Sequence, residues 1–371
     1  MKPEIKILTS SMGLGTYVPS LFLYEYFISN GYDVEIEIIE SYLSDSVMEK
    51  FLKSKETYHK SFKKALLGHK LAEQKLNFLV DQNIVEEVTA KWKSSNSELF
   101  LILSGNWMQI IDDYKKKYTE INPKIFTVHL DADKTPSWHN YSNKDKLSED
   151  IWVFDEEKVN FMIEHPLRTK EIFKENEQVK SSSVYIHGGG WGMGTYQNQY
   201  EEFIKKIPYS VKTTVHDVSE IVECENWKYY LMDSSWRPWL KSEREKNLYP
   251  RVLEIEKGIK REINNEHQNG MYDLYQDCCA IISKPGGGTL LDCLITATPL
   301  VFLKPIAKHE MQNQILWEKL GLGISYEKWE ELNFSYSILE EIYYRILEYR
   351  EQLPFIGERI MNQICLSLEV K

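Results

Sequence analysis

Three consecutive glycines, Gly286 to Gly288, are the residues whose type and spacing point most directly to chemistry. The apolar run 280–282 enters them, and Thr289 opens a segment with apolar residues at helical spacing. Glycine permits positive φ and close approach to a ligand, and a helix N-terminus presents unpaired N–H groups and the positive end of a dipole. The pattern therefore favours a phosphate-bearing ligand, although a tight turn that serves packing alone has the same pattern.

A second glycine-rich turn follows the strand-like segment 184–187. Its glycines are Gly188, Gly189, Gly190, Gly192 and Gly194. His187, just before them, is expected to be a hydrogen-bonded histidine at a strand end rather than a catalyst. Lys284, beside the first turn, is either a point charge that neutralises a phosphate or an ordinary surface lysine.

The elements that must position these turns are those of an α/β protein. Residues 5–9 read as a strand, 10–16 as a turn with Gly13 and Gly15, 17–30 as a helix ended by Gly31, and 33–39 as a second strand. This βαβ unit predicts a parallel sheet, with ligands at the carboxyl ends of its strands.

The same alternation continues along the chain. Further strands are expected at 99–103, 124–130, 150–154, 184–187, 211–216, 228–232, 280–283 and 300–303. Residues 164–180 are polar, include Pro166 and read as an interdomain connection, and 335–370 is helical with a break near Pro354. We therefore predict two parallel-sheet domains, 1–165 and 166–350, followed by a C-terminal helix, 351–371.

Composition excludes several classes of protein. The 371 residues are 42% hydrophobic and 27% charged, as in a globular protein, and no apolar run reaches the length of a membrane span. The start of the chain has no secretory signal, which predicts a cytoplasmic location. The net charge of −11 argues against nucleic-acid binding, and the 5 cysteines lack metal-site spacing and read as reduced thiols.

One segment opposes the acidic balance. Residues 49–75 contain eight lysines against three glutamates, interleaved with apolar residues. A solvated helix face is one interpretation, and peripheral contact with an anionic membrane at the inner surface, or with an acidic acceptor, is the other.

A specific resemblance rests on residues 281–323. Ser283-Lys284-Pro285-Gly286-Gly287-Gly288-Thr289-Leu290-Leu291-Asp292, then Thr298-Pro299-Leu300 and His309-Glu310-Met311-Gln312-Asn313, resembles the donor-binding region of nucleotide-sugar glycosyltransferases. The similar families are the peptidoglycan N-acetylglucosaminyltransferases, the monogalactosyldiacylglycerol synthases and the UDP-glycosyltransferases. The resemblance implies the GT-B fold, with two Rossmann-like domains facing a cleft and C-terminal helices closing back on the N-terminal domain.

The resemblance also implies roles for single residues. The diphosphate would lie on the amides of Gly286 to Gly288 with Thr289 as a hydroxyl partner, and the 188–194 turn would face it. Asp292, where these families usually have glutamate, would accept bonds from the ribose hydroxyls. Glu310 and Asn313 would read the donor sugar, and the nucleotide would be UDP.

The N-terminal domain departs from the family pattern. The families often have G-H-x-x-P, with the histidine at or near the general base, whereas this chain has Gly15-Thr16-Tyr17-Val18-Pro19. A threonine hydroxyl is not a useful base at neutral pH, so the candidates become Asp131 and His129, with Asp133 behind them, at the end of their strand. Gly15, Thr16 and Trp107 are expected on the acceptor side, the tryptophan as a stacking surface.

The expected function is an inverting glycosyltransferase that needs neither a metal nor a cofactor beyond its nucleotide-sugar co-substrate. The acceptor is a small molecule, a glycan or a lipid that the sequence does not identify. A nucleotide-sugar hydrolase or epimerase of the same fold is one alternative, and a non-catalytic nucleotide-sugar-binding protein is another.

Overall fold

The fold is described from a computed structural model. It describes residues 3–11, 13–74, 82–139, 148–155, 159–163, 167, 172–173, 182–190, 192–194, 196–233, 235–245, 248–256, 258–263 and 270–369. The expected interdomain connection at 164–180 lies largely outside these residues. The chain forms two compact units: unit 1 comprises Met1–Tyr58, Lys63–Glu164 and Pro354–Lys371, and unit 2 comprises His59–Phe62 and His165–Leu353.

Unit 1 is built on a five-stranded parallel sheet with the order β2-β1-β3-β4-β5. Its elements are β1 (Ile5–Thr9), α1 (Leu14–Ser29), β2 (Val34–Ile38), α2 (Asp45–Lys60), α3 (Phe62–Gln74), α4 (Gln82–Ser94), β3 (Leu99–Ile102), α5 (Met108–Lys117), β4 (Lys124–His129), β5 (Ser148–Trp152) and α13 (Ile356–Glu369). The end of α2 lies in unit 2.

The sequence explains the sheet of unit 1. β1 and β3 are central, and their residues are almost all apolar and buried, as a strand covered on both faces requires. A cluster under β3 includes Trp92, Phe100 and Tyr114. The final helix α13 completes the unit, since Arg359 Nη2 lies 2.8 Å from Glu149 Oε1 and the backbone N–H of Ile356 donates to the carbonyl of Phe161 at 2.9 Å.

Unit 2 is built on an eight-stranded sheet with the order β10-β9-β8-β7-β6-β11-β12-β13. Its elements are β6 (Ser183–Ile186), α6 (Tyr200–Lys206), β7 (Ser210–Val215), β8 (Trp227–Met232), α7 (Lys241–Arg244), β9 (Val252–Glu256), β10 (Ile259–Glu262), α8 (Gly270–Gln276), β11 (Ala280–Ser283), α9 (Gly287–Thr296), β12 (Leu300–Phe302), α10 (Lys308–Leu320), β13 (Gly323–Ser325), α11 (Tyr326–Glu331) and α12 (Tyr336–Arg350).

The prediction that this second sheet is entirely parallel is wrong. β9 pairs antiparallel with both β8 and β10, so one edge of the sheet is an antiparallel hairpin. Gly258, at φ 79°, makes the tight turn of that hairpin. From β8 to β13 the strands are parallel, as expected.

Both sheets have a switch point, the place where successive crossovers leave in opposite directions. In unit 1 it lies between β1 and β3, and in unit 2 between β6 and β11. Ligands of open α/β sheets bind outside the carboxyl ends of the strands at such points. Each unit is therefore expected to bind its ligand at the loops that follow the two strands beside its switch point.

Among the described residues, no helix combines the length and the apolar character that crossing a membrane requires.

Candidate functional site

The described residues of the loop after β6, 187–190 and 192–194, and the turn after β11, residues 284–289, meet at the switch point of unit 2. We call them the β6 loop and the β11 turn. Gly189 and Gly192 have φ of 73° and 59°, a conformation that other residues rarely adopt. A Cβ at Gly188 would lie 2.5 Å from the ring of Tyr196, so the β6 loop requires glycine for close packing as well.

The β11 turn uses its glycines differently from the expectation. Gly286 has φ −75° and is the N-cap of α9, and the helix begins at Gly287 rather than at Thr289. Gly286, the N-cap, makes no side-chain hydrogen bond to this helix. Its lack of a Cβ therefore keeps the N–H groups of the first turn accessible and does not serve to adopt positive φ.

Lys284 lies between the two glycine segments. A Cβ built on Gly286 would lie 3.3 Å from its Nζ, and one built on Gly189 would lie 3.9 Å from the same atom. The side chain is 12% exposed and forms an ion pair with Glu310. The interpretation of Lys284 as an ordinary surface lysine is therefore wrong.

Glu310, on the first turn of α10, holds this lysine in place. One carboxylate oxygen accepts from Lys284, and the other accepts from the backbone N–H of Ile306 at 2.7 Å. Burial, the largest single influence, raises the pKa of Glu310, but the charges of Lys284 and His309 and the hydrogen bonds from Ile306 and Lys284 together lower it below its ordinary value, so the pair is ionic. Because both oxygens are engaged and the residue is 4% exposed, its expected role as a reader of the donor sugar is replaced by one of positioning Lys284.

Asn313 lies one turn further along α10 and is fully buried. Its Nδ2 donates to the carbonyl of Pro285 at 2.9 Å. A side chain at 0% exposure cannot touch a bound sugar, so that prediction for Asn313 is corrected too. Asn313 instead fixes the backbone of the β11 turn to α10.

Asp292 is placed differently from these two residues. It lies on α9, is partly exposed, and its carboxylate has no hydrogen-bond partner among the described residues. Burial raises the pKa of this carboxyl to about 8. A desolvated carboxylate with unfilled acceptor capacity suits hydroxyl donors such as those of a ribose. Thr289, on the same helix, is 6% exposed.

His187 begins the β6 loop. Its Nδ1 accepts from the backbone N–H of Gly189 at 2.9 Å, which places the proton of the neutral ring on Nε2. Burial, with a contribution from Lys284, lowers its pKa to about 3, so the ring is neutral throughout the physiological range. Its ring also stacks on Tyr275, with centroids 5.6 Å apart. These contacts agree with a structural histidine at a strand end.

In unit 1 the described residues of the turn after β1, 10–11 and 13–16, lie at the switch point. We call them the β1 turn. Thr16 Oγ1 donates to the carbonyl of Ser10 at 2.7 Å, and both Gly15 and Thr16 fall in the first turn of α1, which begins earlier than expected. Thr16 therefore fixes the shape of the turn and supplies no base.

Glu40 is the residue of this site that the sequence analysis missed. It follows β2, is 1% exposed, and is hydrogen-bonded by Ser10 and Ser11 of the β1 turn. The alternating pattern of residues 33–39 predicted the strand correctly. A glutamate directly after an apolar strand end, facing a serine pair after the neighbouring strand, was the available signal.

The candidate bases at the end of β4 and just after it differ in their exposure. His129 is 2% exposed, and its ring is stacked on Trp152 at 4.2 Å and packed against Trp138 at 4.5 Å. These rings cover it, so the structure contradicts His129 as a base that touches the acceptor. Asp131 and Asp133 are partly exposed in the bend after β4, and their role stays a prediction.

The prediction that Trp107 stacks on an acceptor is wrong. Trp107 is fully buried, and its indole N–H donates to the carbonyl of Thr9 at 2.7 Å. Its ring packs edge-on against Tyr42, with centroids 5.7 Å apart. An amphipathic aromatic at the end of a central strand has entered the core, where it supports the β1 turn from below.

In the part of the chain that the structure describes, no group of three or more His, Cys, Asp or Glu residues is arranged to hold a metal ion.

The sequence itself matches no protein-family model, and no curated protein matches it significantly. The fold, in contrast, is similar to solved glycosyltransferases. SnogD from Streptomyces nogalater has a TM-score of 0.56 at 13% identity and covers 99% of both chains.

Two further structures extend this similarity. VinC, solved in complex with dTDP, has a TM-score of 0.58 at 11% identity, with 99% of this chain and 100% of that one covered. MurG from Acinetobacter baumannii has a TM-score of 0.54 at 11% identity, with 98% and 99% covered. The two α/β units of this chain therefore have the Rossmann-like folds of the GT-B glycosyltransferases.

Proposed function

We propose that the chain is a glycosyltransferase that binds a nucleotide-sugar donor at the switch point of unit 2. The observation that carries this proposal is the placement of Lys284 between two glycine segments, beside the N-terminus of α9. A helix N-terminus, its dipole and one buried ammonium together suit a diphosphate. A turn that served packing alone would not need a buried ammonium between its glycines.

The ribose is assigned to Asp292. Its carboxylate lies five residues after the beginning of α9 and has no hydrogen-bond partner among the described residues. Two adjacent ribose hydroxyls would donate to its two oxygens and stabilise the ionised form. This role supports a nucleotide over a simple phosphorylated sugar.

The nucleobase is proposed to be uracil or thymine. The sequence resemblance favours UDP, and two solved structures of similar fold, VinC and SsfS6, contain dTDP and thymidine diphosphate respectively. The two nucleotides share the diphosphate and differ in the base methyl group and the ribose 2′-hydroxyl. A role of Asp292 in binding both ribose hydroxyls would favour UDP.

The reaction is proposed to be inverting and independent of a metal. An acceptor hydroxyl attacks the anomeric carbon from the face opposite the leaving nucleoside diphosphate, on which negative charge develops. Lys284 and the N–H groups of the first turn of α9 are preorganised to stabilise that charge. Unchanged turnover in the presence of a chelator is the expected result.

A nucleotide panel tests the proposed function most directly. Thermal unfolding of the full chain is followed with UDP, dTDP, GDP, CDP and inorganic diphosphate. A ligand that binds only the folded state at about 100 times its Kd stabilises by roughly 2.7 kcal/mol, so UDP or dTDP should raise the Tm clearly. A Tm that none of these compounds changes would contradict the proposal. In a separate activity assay, release of the sugar from the donor without transfer to an acceptor would favour the hydrolase alternative.

Peripheral contact with an anionic membrane remains a proposal for the lysine-rich segment 49–75. Lys50, Lys53, Lys60, Lys63 and Lys64 are exposed on α2 and α3, and Leu67 is 58% exposed. Exposed lysines beside apolar side chains suit anionic lipid headgroups. Sedimentation with phosphatidylserine vesicles tests this: pelleting should be lost when Lys60, Lys63 and Lys64 are changed to Gln, and pelleting that persists would contradict it.

A further inference from the structure

Glu40 is a buried carboxylate beside the β1 turn. Ser10 Oγ donates to its Oε1 at 2.6 Å, and Ser11 donates to Oε2 from its backbone N–H at 2.8 Å and from Oγ at 3.1 Å. Burial raises the pKa of Glu40, and the serine hydrogen bonds lower it by less, so the pKa stays above its ordinary value. A carboxylate in this setting is a stronger base than one in water.

Glu37, on β2 three residues before Glu40, is an ordinary structural carboxylate. It is 3% exposed and accepts from Tyr42 Oη at 2.8 Å, from Trp92 Nε1 at 3.0 Å and from Lys91 Nζ at 3.2 Å. Its charge is therefore balanced by an ammonium. The hydrogen bonds of Glu40 given above come instead from hydroxyl and amide groups of the β1 turn.

The position of Glu40 also distinguishes it from the other candidates. Ser10 and Ser11 follow β1, which borders the switch point of unit 1, and Ser11 is the more exposed of the two at 9%. The covered His129 ends β4 and Asp131 follows it, on the far side of β3 from β1 and about 10 Å from β1 at the usual strand spacing. A ligand at the switch point would therefore meet Ser11 before it met Asp131.

We propose that Ser11 and Glu40 together accept the proton of the acceptor hydroxyl, with Ser11 Oγ touching that hydroxyl and Glu40 acting through Ser11. The proposal rests on the proposed glycosyltransferase function. It accounts for the threonine at position 16: Thr16 Oγ1 holds the carbonyl of Ser10, which fixes the β1 turn so that both serines reach Glu40.

The step balances as follows in protons and electrons. A lone pair of the acceptor oxygen forms the bond to the anomeric carbon, while the bond from that carbon to the phosphate oxygen breaks and its electron pair leaves with the nucleoside diphosphate. The acceptor proton passes to Ser11 Oγ as the Ser11 proton passes to Glu40 Oε2. Glu40 ends neutral, and its return to the carboxylate through Ser11 releases one proton to solvent.

The test compares Glu40→Gln and Ser11→Ala with the control Ser10→Ala in the full chain. Ser10→Ala removes one hydrogen bond from the same carboxylate but leaves the route through Ser11. The measured quantity is the kcat for nucleoside diphosphate release from saturating UDP-glucose or dTDP-glucose, with water as the acceptor. Calorimetry with UDP and dTDP, and thermal unfolding, check donor binding and folding of each variant.

We expect Glu40→Gln and Ser11→Ala each to lower kcat by about 100-fold or more, as for loss of a general base, and Ser10→Ala by less than about tenfold. The Kd for nucleotide should change little. In the wild type, kcat should rise with pH through the titration of Glu40, and Glu40→Gln should lose that rise. A role confined to shaping the turn would lower the Tm without removing the pH dependence.

Equal kcat in the wild type and in Glu40→Gln, whether fast or undetectable, would overturn the proposal. If Glu40→Gln does not fold, equal kcat values for the wild type and Ser11→Ala would overturn the proposal instead. Failure of the proposed function is recognised separately, because the wild type would then not bind nucleotide at all.

Discussion

Unit 2 has glycines, a lysine and an aspartate at its switch point, whereas unit 1 has serines and a buried glutamate. The comparison is informative because each sheet brings the loops after two adjacent strands to the switch point of its own unit. In unit 2 the groups attract and stabilise negative charge. In unit 1 they can take up a proton. One type of scaffold thus carries two different kinds of chemistry, set by the side chains that follow its central strands.

Changing Trp107 to Ala should have the largest effect, and it should fall on unit 1 alone. The fully buried indole supports the β1 turn through Thr9, and loss of a buried Trp typically costs about 3–5 kcal/mol. Urea unfolding measures the loss, and calorimetry at low temperature measures nucleotide binding by the folded fraction. Trp107→Phe, which keeps a ring, is the milder control. A large rise in the nucleotide Kd of folded Trp107→Ala would contradict a nucleotide site confined to unit 2.

Changing Lys284 to Met should weaken nucleotide binding by about 100-fold, the usual range for losing one partner of a buried charged contact. The variant removes the ammonium between the two glycine segments and leaves Glu310 without its cation. The matched control is Lys212→Met, in the same unit, because the Lys212 side chain is 13% exposed, close to the 12% of Lys284, and its ammonium lies 3.7 Å from the carboxylate of Asp277. Glu310→Gln should have a smaller effect, since it keeps the lysine. Equal Kd values for the two lysine variants would remove Lys284 from the donor site.

The pH dependence of nucleotide binding should show a smaller effect. Since the pKa of Asp292 is about 8 in the unliganded protein, the carboxyl is mostly protonated below that pH, whereas ribose hydroxyls favour the carboxylate. The affinity for UDP should therefore rise with pH between 7 and 8, by up to about tenfold per unit, and level off above the pKa. His187, at about 3, does not titrate in this window. Asp292→Asn should bind more weakly with no such rise, and a rise that persists in Asp292→Asn would refute the assignment.

The sequence predicted the elements more reliably than the contacts of the site. Periodicity located the strands that flank both switch points, and the glycine triplet predicted a helix start within two residues. The φ of Gly286 was not predictable, because an extended N-cap and a left-handed turn both favour glycine. The hairpin of β9 and β10 was missed, although Gly258 was its signal.

The roles of Glu310 and Asn313 could not be read from the sequence for a different reason. Their partners, Lys284 and Pro285, lie more than 20 residues earlier, and only the packing of α10 against the β11 turn brings them together. Glu40 was missed because alternation shows which face of a strand is buried but not whether a carboxylate at its end is covered. Contacts between elements decide these roles, and no local pattern encodes them.

The final helix α13 has a consequence for biosynthesis. Unit 1 includes Pro354–Lys371, and about 190 residues of unit 2 are translated between this segment and the rest of unit 1. At roughly 5–20 residues per second, the ribosome needs on the order of ten seconds or more to supply the missing helix. Unit 1 therefore reaches its native state only after translation of unit 2, and until then Phe161 and Glu149 lack the partners that α13 and its leading segment provide.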